Sequence, residues 1–156
     1  MAFASKSGSF ERALSFENIH TGERIRRIYW AEGRYIPEVM REFDHVLRDH
    51  RTGQVHRIDS SLLDLLYALG GRLETGKPFQ IICGYRSPET NSLLRQKSSG
   101  VARNSLHMEG MAVDIALQDR SLPQLRSAAL SLQKGGVGYY PKSGFVHVDV
   151  GAVRSW

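Results

Sequence analysis

Apolar and polar residues alternate or recur with a clear period along most of this chain. Ala13–Ile19 and Glu23–Trp30 read as two strands around His20–Thr21–Gly22, a hairpin turn signal. Pro37 suits the first position of a helix running to about Arg48, with Val39, Met40, Phe43, Val46 and Leu47 on one face. Asp59 or Ser60 caps the next helix. Its leucines (Leu62, Leu63, Leu65, Leu66, Leu69 and Leu73) cover too much surface for an outer helix, which predicts a central one.

Pro78–Gly84 is a short apolar run bounded by turn residues, the pattern of a buried strand. Ser87 followed by Pro88 starts a helix over Glu89–Lys97, and Ala112–Leu117 is a short strand. Ser121 or Leu122, with Pro123 in the first turn, opens a helix that Gly135 stops. Gly136–Tyr140 and Phe145–Val150 are strands around the turn Pro141–Lys142–Ser143–Gly144. The order predicts an α+β fold: a small antiparallel sheet with helices packed against it. A flexible lead is expected over residues 1–12, and a single domain over residues 13–156.

Composition changes this picture little. With 156 residues, 41% of them hydrophobic and 24% charged, the chain has the make-up of a globular domain that needs no staples. Its one cysteine, Cys83, precludes an internal disulfide and reads as a buried core thiol within Phe79–Cys83. No apolar stretch is long enough for a transmembrane helix. The opening MAFASKSGSFERAL lacks the apolar core of a secretory signal. The net charge of +5 favours anionic partners, but the basic residues are scattered and no nucleic-acid-binding motif accompanies them.

The candidate chemistry lies in two segments. Ser105–Asp114 holds a histidine and an aspartate seven positions apart, His107 and Asp114, a weak signal by itself. Gly110 and Ala112 are small, as if the chain must bend and pass close to something. Asp114 stands in the apolar strand Val113–Asp114–Ile115, where a lone carboxylate is costly, so it should be paired or metal-bound. His147 lies in Phe145–Asp149, and residues two apart in a strand share a face, so His147 and Asp149 point the same way. Two histidines and a carboxylate make a three-ligand zinc set that leaves a fourth position open for water. Calcium or magnesium would want more oxygen ligands.

Ser105-x-His107-x-x-Gly110-x-Ala112-x-Asp114, together with Gly84–Tyr85–Arg86–Ser87 upstream and Gly135–Tyr140 leading to Phe145–Asp149 downstream, resembles the D-Ala-D-Ala carboxypeptidase and VanX-like zinc metallopeptidases. Their zinc-site architecture is shared with lysostaphin-type enzymes and the Hedgehog domain. The resemblance extends to the MepK-type murein endopeptidases through Asn18–Glu23, and covers the chain from about Ser15 to Trp156. It implies one zinc ion per chain held by His107, Asp114 and His147, with Arg86 steadying substrate or oxyanion. Ser105 and Tyr85 follow as weaker substrate contacts. Several relatives carry the general base three residues before the last zinc histidine, where this chain has Gly144. Asp149 is the replacement candidate, either as catalytic base or as a partner orienting His147.

The implied function is a zinc-dependent murein endopeptidase cutting D-Ala–meso-diaminopimelate bonds and, beyond these, the link between two diaminopimelates. Its partners are peptidoglycan peptide stems, and its implied location is the periplasm or another exported site. A D-Ala-D-Ala carboxypeptidase or dipeptidase is one alternative. A non-catalytic zinc module that binds the cell wall is another.

Overall fold

Period-two burial in the strands and leucine-rich helix faces organise the computed structural model, which describes residues 10–156. Eight strands occur: β1 (Glu11–Asn18), β2 (Arg24–Ala31), β3 (Arg34–Tyr35), β4 (Phe79–Cys83), β5 (Ala112–Ala116), β6 (Gly136–Tyr140), β7 (Phe145–Asp149) and β8 (Arg154–Ser155). The helices are α1 (Pro37–Val46), α2 (Ser60–Leu73), α3 (Pro88–Lys97) and α4 (Leu122–Leu132). A single 3-10 turn covers Leu106–Glu109. Residues 1–9 of the expected lead lie outside the described residues, and strand pairing already begins at Glu11, opposite Ala31.

Helix starts follow local chemistry. Asp59 accepts the Ser61 amide at the head of α2, Ser87 accepts the Thr90 amide at α3, and Ser121 with Gln124 forms a reciprocal capping box at α4. α4 ends earlier than the glycine signal suggests: Gln133, not Gly135, takes the left-handed cap (φ 49°). Among the described residues, no helix is long and apolar enough to cross a membrane.

All strands join one sheet, in the order β3-β2-β1-β4-β5-β7-β6-β8. The expected small antiparallel sheet is larger, with eight strands among the described residues, and mostly but not wholly antiparallel. β1 pairs parallel with β4, which fuses the opening hairpin to the later strands, and β8 pairs parallel with β6. The two-residue strands β3 and β8 are too short to show alternation in a sequence.

One face of the sheet is the core. Leu14, Phe16, Phe79, Ile81, Val113, Ile115, Val146 and Val148 are buried there with the fully buried leucines of α2 and with Leu125 of α4. The alternate residues Asp114, His147 and Asp149 face the other way, because successive side chains of a strand point to opposite sides. The cleft on that second face is lined by Arg86, by Leu94 of α3 and by residues between Ser98 and His107.

Asp49 ties down the start of α3. It is 2% exposed and accepts the amides of Arg51 (2.8 Å), Thr52 (3.1 Å) and Ser87 (2.9 Å). Burial alone would raise its carboxyl, but hydrogen bonds from Thr90, Ser87 and the Arg51 amide outweigh burial and hold it well below the usual carboxylate range. A depressed carboxyl contributes stability that is present above its unfolded pKa and lost as the pH falls below it. Asp49→Ala should therefore lower unfolding free energy by about 2 kcal/mol at neutral pH in denaturant titrations. The gap from wild type should narrow as the pH drops below the ordinary carboxyl value of 3.8.

Candidate metal centre

The site is built by register. β5 and β7 run antiparallel with Asp114 opposite His147, and β6 places Gly138 on the far side of His147. On the other flank, Cys83 of β4 pairs with Asp114. A bulge between Ile81 and Cys83 brings it there: Ile81 pairs with Ile115 on the core face, and the irregularity turns Cys83 onto the site face. The sequence reading of Cys83 as a core thiol is thereby corrected. No sequence signal marks the bulge.

His107 arrives from above the sheet on the 3-10 turn. Ser105 caps that turn by accepting the His107 amide at 3.2 Å. Gly110 closes it in the left-handed region (φ 67°), and a β-carbon there would stand 2.2 Å from the Arg57 carbonyl oxygen. The close approach anticipated at Gly110 is therefore to backbone. His107 Nδ1 donates to the Gly84 carbonyl at 2.9 Å, which aims Nε2 at the sheet.

Three atoms meet there. His107 Nε2 and Asp114 Oδ1 are 3.2 Å apart, His147 Nδ1 and Asp114 Oδ1 3.0 Å, and the two histidine nitrogens 3.2 Å. A tetrahedral ion bound at ordinary zinc distances needs donor atoms about 3.3 Å apart. The spacing fits with little adjustment, and the donors are of the borderline type zinc takes. A Cys83 sulfur, a His107 nitrogen and an Asp114 oxygen also lie within 4.8 Å of one another, a looser set that shares two members with the first.

The electrostatics match a cation site. Burial pulls the His107 imidazole down, but the Asp114 carboxylate outweighs it and holds its pKa well above the ordinary value. Burial would raise Asp114, yet His107 and His147 keep it ionised and depressed. Cys83 is likewise opposed by burial and lowered by neighbouring His107.

Arg86 lines the same cleft, which has a volume of about 570 Å³. Its Nη1 donates to Asn91 Oδ1 at 3.2 Å, and its Nη2 lies 4.0 Å from Asp114 Oδ2. Its Nε is buried without a partner. Asn91 also donates to the Ala102 carbonyl at 3.0 Å, so one side chain clamps both the arginine and the loop over the cleft. Sequence reasoning missed Asn91. Only its place four residues into the segment begun by Ser87 could have hinted at it. Tyr85, the other expected substrate contact, is absent from the cleft lining and stacks on His56, ring centroids 4.6 Å apart.

Asp149 is fully buried behind His147. Its Oδ2 accepts from His147 Nε2 at 2.8 Å, on the imidazole nitrogen that does not meet the other ligands. The amides of Gly136 and Gly151 and both terminal nitrogens of Arg154 take its remaining capacity. These contacts outweigh burial and hold the carboxyl far below the usual range. Gly144 sits in the β6–β7 turn at φ 83°, so no carboxylate rises from that position. Glu109 lies outside this cleft, on another hollow with His56 and Arg57. Among the described residues, Asp114 and Asp149 are the only acids lining the cleft.

Comparison with known proteins identifies a family. A family model described as "Peptidoglycan L,D-endopeptidase MepK" matches residues 6–156. The Escherichia coli (strain K12) protein named peptidoglycan L,D-endopeptidase MepK is 46% identical over 155 residues, spanning 99% of this chain and 85% of the relative. The protein of that name from Shigella flexneri gives the same figures. A Haemophilus influenzae protein named probable peptidoglycan L,D-endopeptidase MepK is 42% identical over 146 residues, 93% of this chain and 78% of the relative.

The paired support behind His147 can be tested without any metal. Arg154→Met leaves the buried Asp149 carboxylate short of its bidentate cation, and should cost about 2 kcal/mol of stability in denaturant unfolding, less than a fully buried pair because the guanidinium is partly exposed.

Proposed function

The chain belongs to the peptidoglycan L,D-endopeptidase MepK family, and we propose that it is a zinc peptidase that hydrolyses peptide cross-links of peptidoglycan, acting where that polymer lies, outside the cytoplasm. The observation that carries this reading is the convergence of His107 Nε2, Asp114 Oδ1 and His147 Nδ1 within 3.2 Å of one another in an open cleft. We assign one zinc ion per chain to these three side chains. Zinc, when bound, supplies Lewis acidity that polarises a carbonyl and makes water nucleophilic near neutral pH.

The relatives' names specify an L,D bond. The link between two diaminopimelates joins an L-centre carbonyl to a D-centre amine, whereas D-Ala–diaminopimelate is a D,D bond. Of these two bonds we therefore favour the link between two diaminopimelates.

The protein's own groups have distinct tasks. Arg86, held by Asn91 and lining the cleft, offers fixed positive charge to a substrate carboxylate or to the oxyanion. Ser105 presents His107. Asp149 is the positioning residue of His147: it holds the imidazole in the tautomer whose Nδ1 faces the cluster. Saturated by donors, it is a poor proton acceptor and is not assigned as the general base. The lack, among the described residues, of any free carboxylate in the cleft is the specific support for a second reading, a zinc-containing module that binds the wall without cutting it.

Incubating zinc-loaded protein with diaminopimelate-linked muropeptide dimers should yield monomers by chromatography, and D-Ala-terminated monomers should stay untrimmed. Intact dimers with a folded, zinc-loaded protein would overturn the endopeptidase reading. Asp149→Asn should weaken zinc binding about 10–100-fold, with turnover restored by excess zinc, a recovery that loss of a general base would not allow.

A further inference from the structure

β8 brings the chain back to the cleft on the side away from Arg86. Trp156 is fixed there by backbone: its N–H donates to the Val137 carbonyl at 3.1 Å, and Tyr139 N–H donates to the Trp156 carbonyl at 2.9 Å. The indole lies over Gly138, where a β-carbon would stand 2.7 Å from the ring, so only glycine leaves this seat open. It also packs beside the His147 imidazole, with ring centroids 5.1 Å apart.

From this seat the indole Nε1–H donates to the Tyr140 hydroxyl oxygen at 2.6 Å. An indole nitrogen only donates, so the tyrosine oxygen is the acceptor and its own proton must point away from the tryptophan. Tyr140 shares a strand face with Gly138, and the register puts that face beside His147. Its ring stacks on Phe145, centroids 4.7 Å apart, which offers no acceptor. Tyr140, Phe145 and Trp156 line the cleft together with His107, Asp114 and His147.

Resting on the endopeptidase reading above, we infer that Tyr140 donates its hydroxyl proton in a hydrogen bond to a substrate oxygen at the metal centre, the one that is a peptide carbonyl before cleavage and part of a carboxylate after it. Trp156 is the positioning residue that fixes the direction of this bond. The cleft thus has a charged donor, Arg86, on the β4 flank and a neutral donor, Tyr140, on the β6 flank. A preorganised neutral donor is most effective where negative charge develops rather than where it is permanent.

The test compares wild type with Tyr140→Phe, Trp156→Phe and the double variant, all zinc-loaded. Two readouts are used: kcat and KM on a diaminopimelate-linked dimer, and calorimetric affinity for the cleavage product that carries the new carboxylate. Tyr140→Phe should lower kcat about 10–100-fold with KM changed less than about threefold, weaken product binding about tenfold, and leave zinc content unchanged. Trp156→Phe, which keeps a ring over Gly138 but removes the donor, should cost less, and should cost nothing further once the hydroxyl is gone. The inference falls if Tyr140→Phe stays within about twofold of wild type in both readouts, if it loses zinc, or if the two substitutions are additive. A wild type that binds product but never cuts the dimer would sink the endopeptidase reading alone, and the product-binding arm would still decide the role of Tyr140.

Discussion

Asp114 stands opposite His147 across two antiparallel strands, and the rest of the molecule depends on that pairing. The carboxylate is 4% exposed, so it requires compensation wherever it points. Its neighbours Val113 and Ile115, and those of His147, Val146 and Val148, are committed to the core. A slip of one residue would put the carboxylate among the leucines of α2 and the valines in the cleft. Core packing and site geometry therefore enforce the same register, and neither can relax without the other.

Support for the site is graded with distance from the three converging atoms. Asp149 fixes His147, Arg154 and two backbone amides fix Asp149, and the Gly84 carbonyl fixes His107. On the other flank, Asn91 fixes Arg86, and Asp49 holds the start of α3, next to Arg86. Each partner except the exposed Arg154 is buried or half-buried, and each satisfies a group that would otherwise be orphaned. This is how a small cleft keeps three ionisable side chains in fixed orientations.

Much of this was legible in the chain. The helix starts at Ser87–Pro88 and Ser121–Pro123 follow from capping chemistry, and the alternation in β5 and β7 places Asp114 and His147 off the core face. The motif residues that suggest zinc are the ones the fold brings together. Illegible were features set by tertiary context. The parallel β1–β4 pairing is long-range, and the two residues of β8 carry no periodicity, although they hold Arg154 and lead to Trp156. Tyr85 reads as part of a motif next to Arg86, yet stacking on His56 takes its ring elsewhere. The two roles open to Asp149 turn on where its hydrogen bonds go, which the sequence does not show.

The bulge in β4 has a consequence for how this strand can vary. Phe79 and Ile81 answer to the volume of the core, while Cys83, only two positions on, answers to the chemistry of the cleft. A run that reads as one apolar word is two half-strands under different constraints. Replacements at Ile81 are limited by shape, those at Cys83 by Arg86, His107 and Asp114 around its sulfur. Drift at either half need not disturb the other. A stretch of sequence with uniform hydropathy can thus hold a joint between structural and functional evolution.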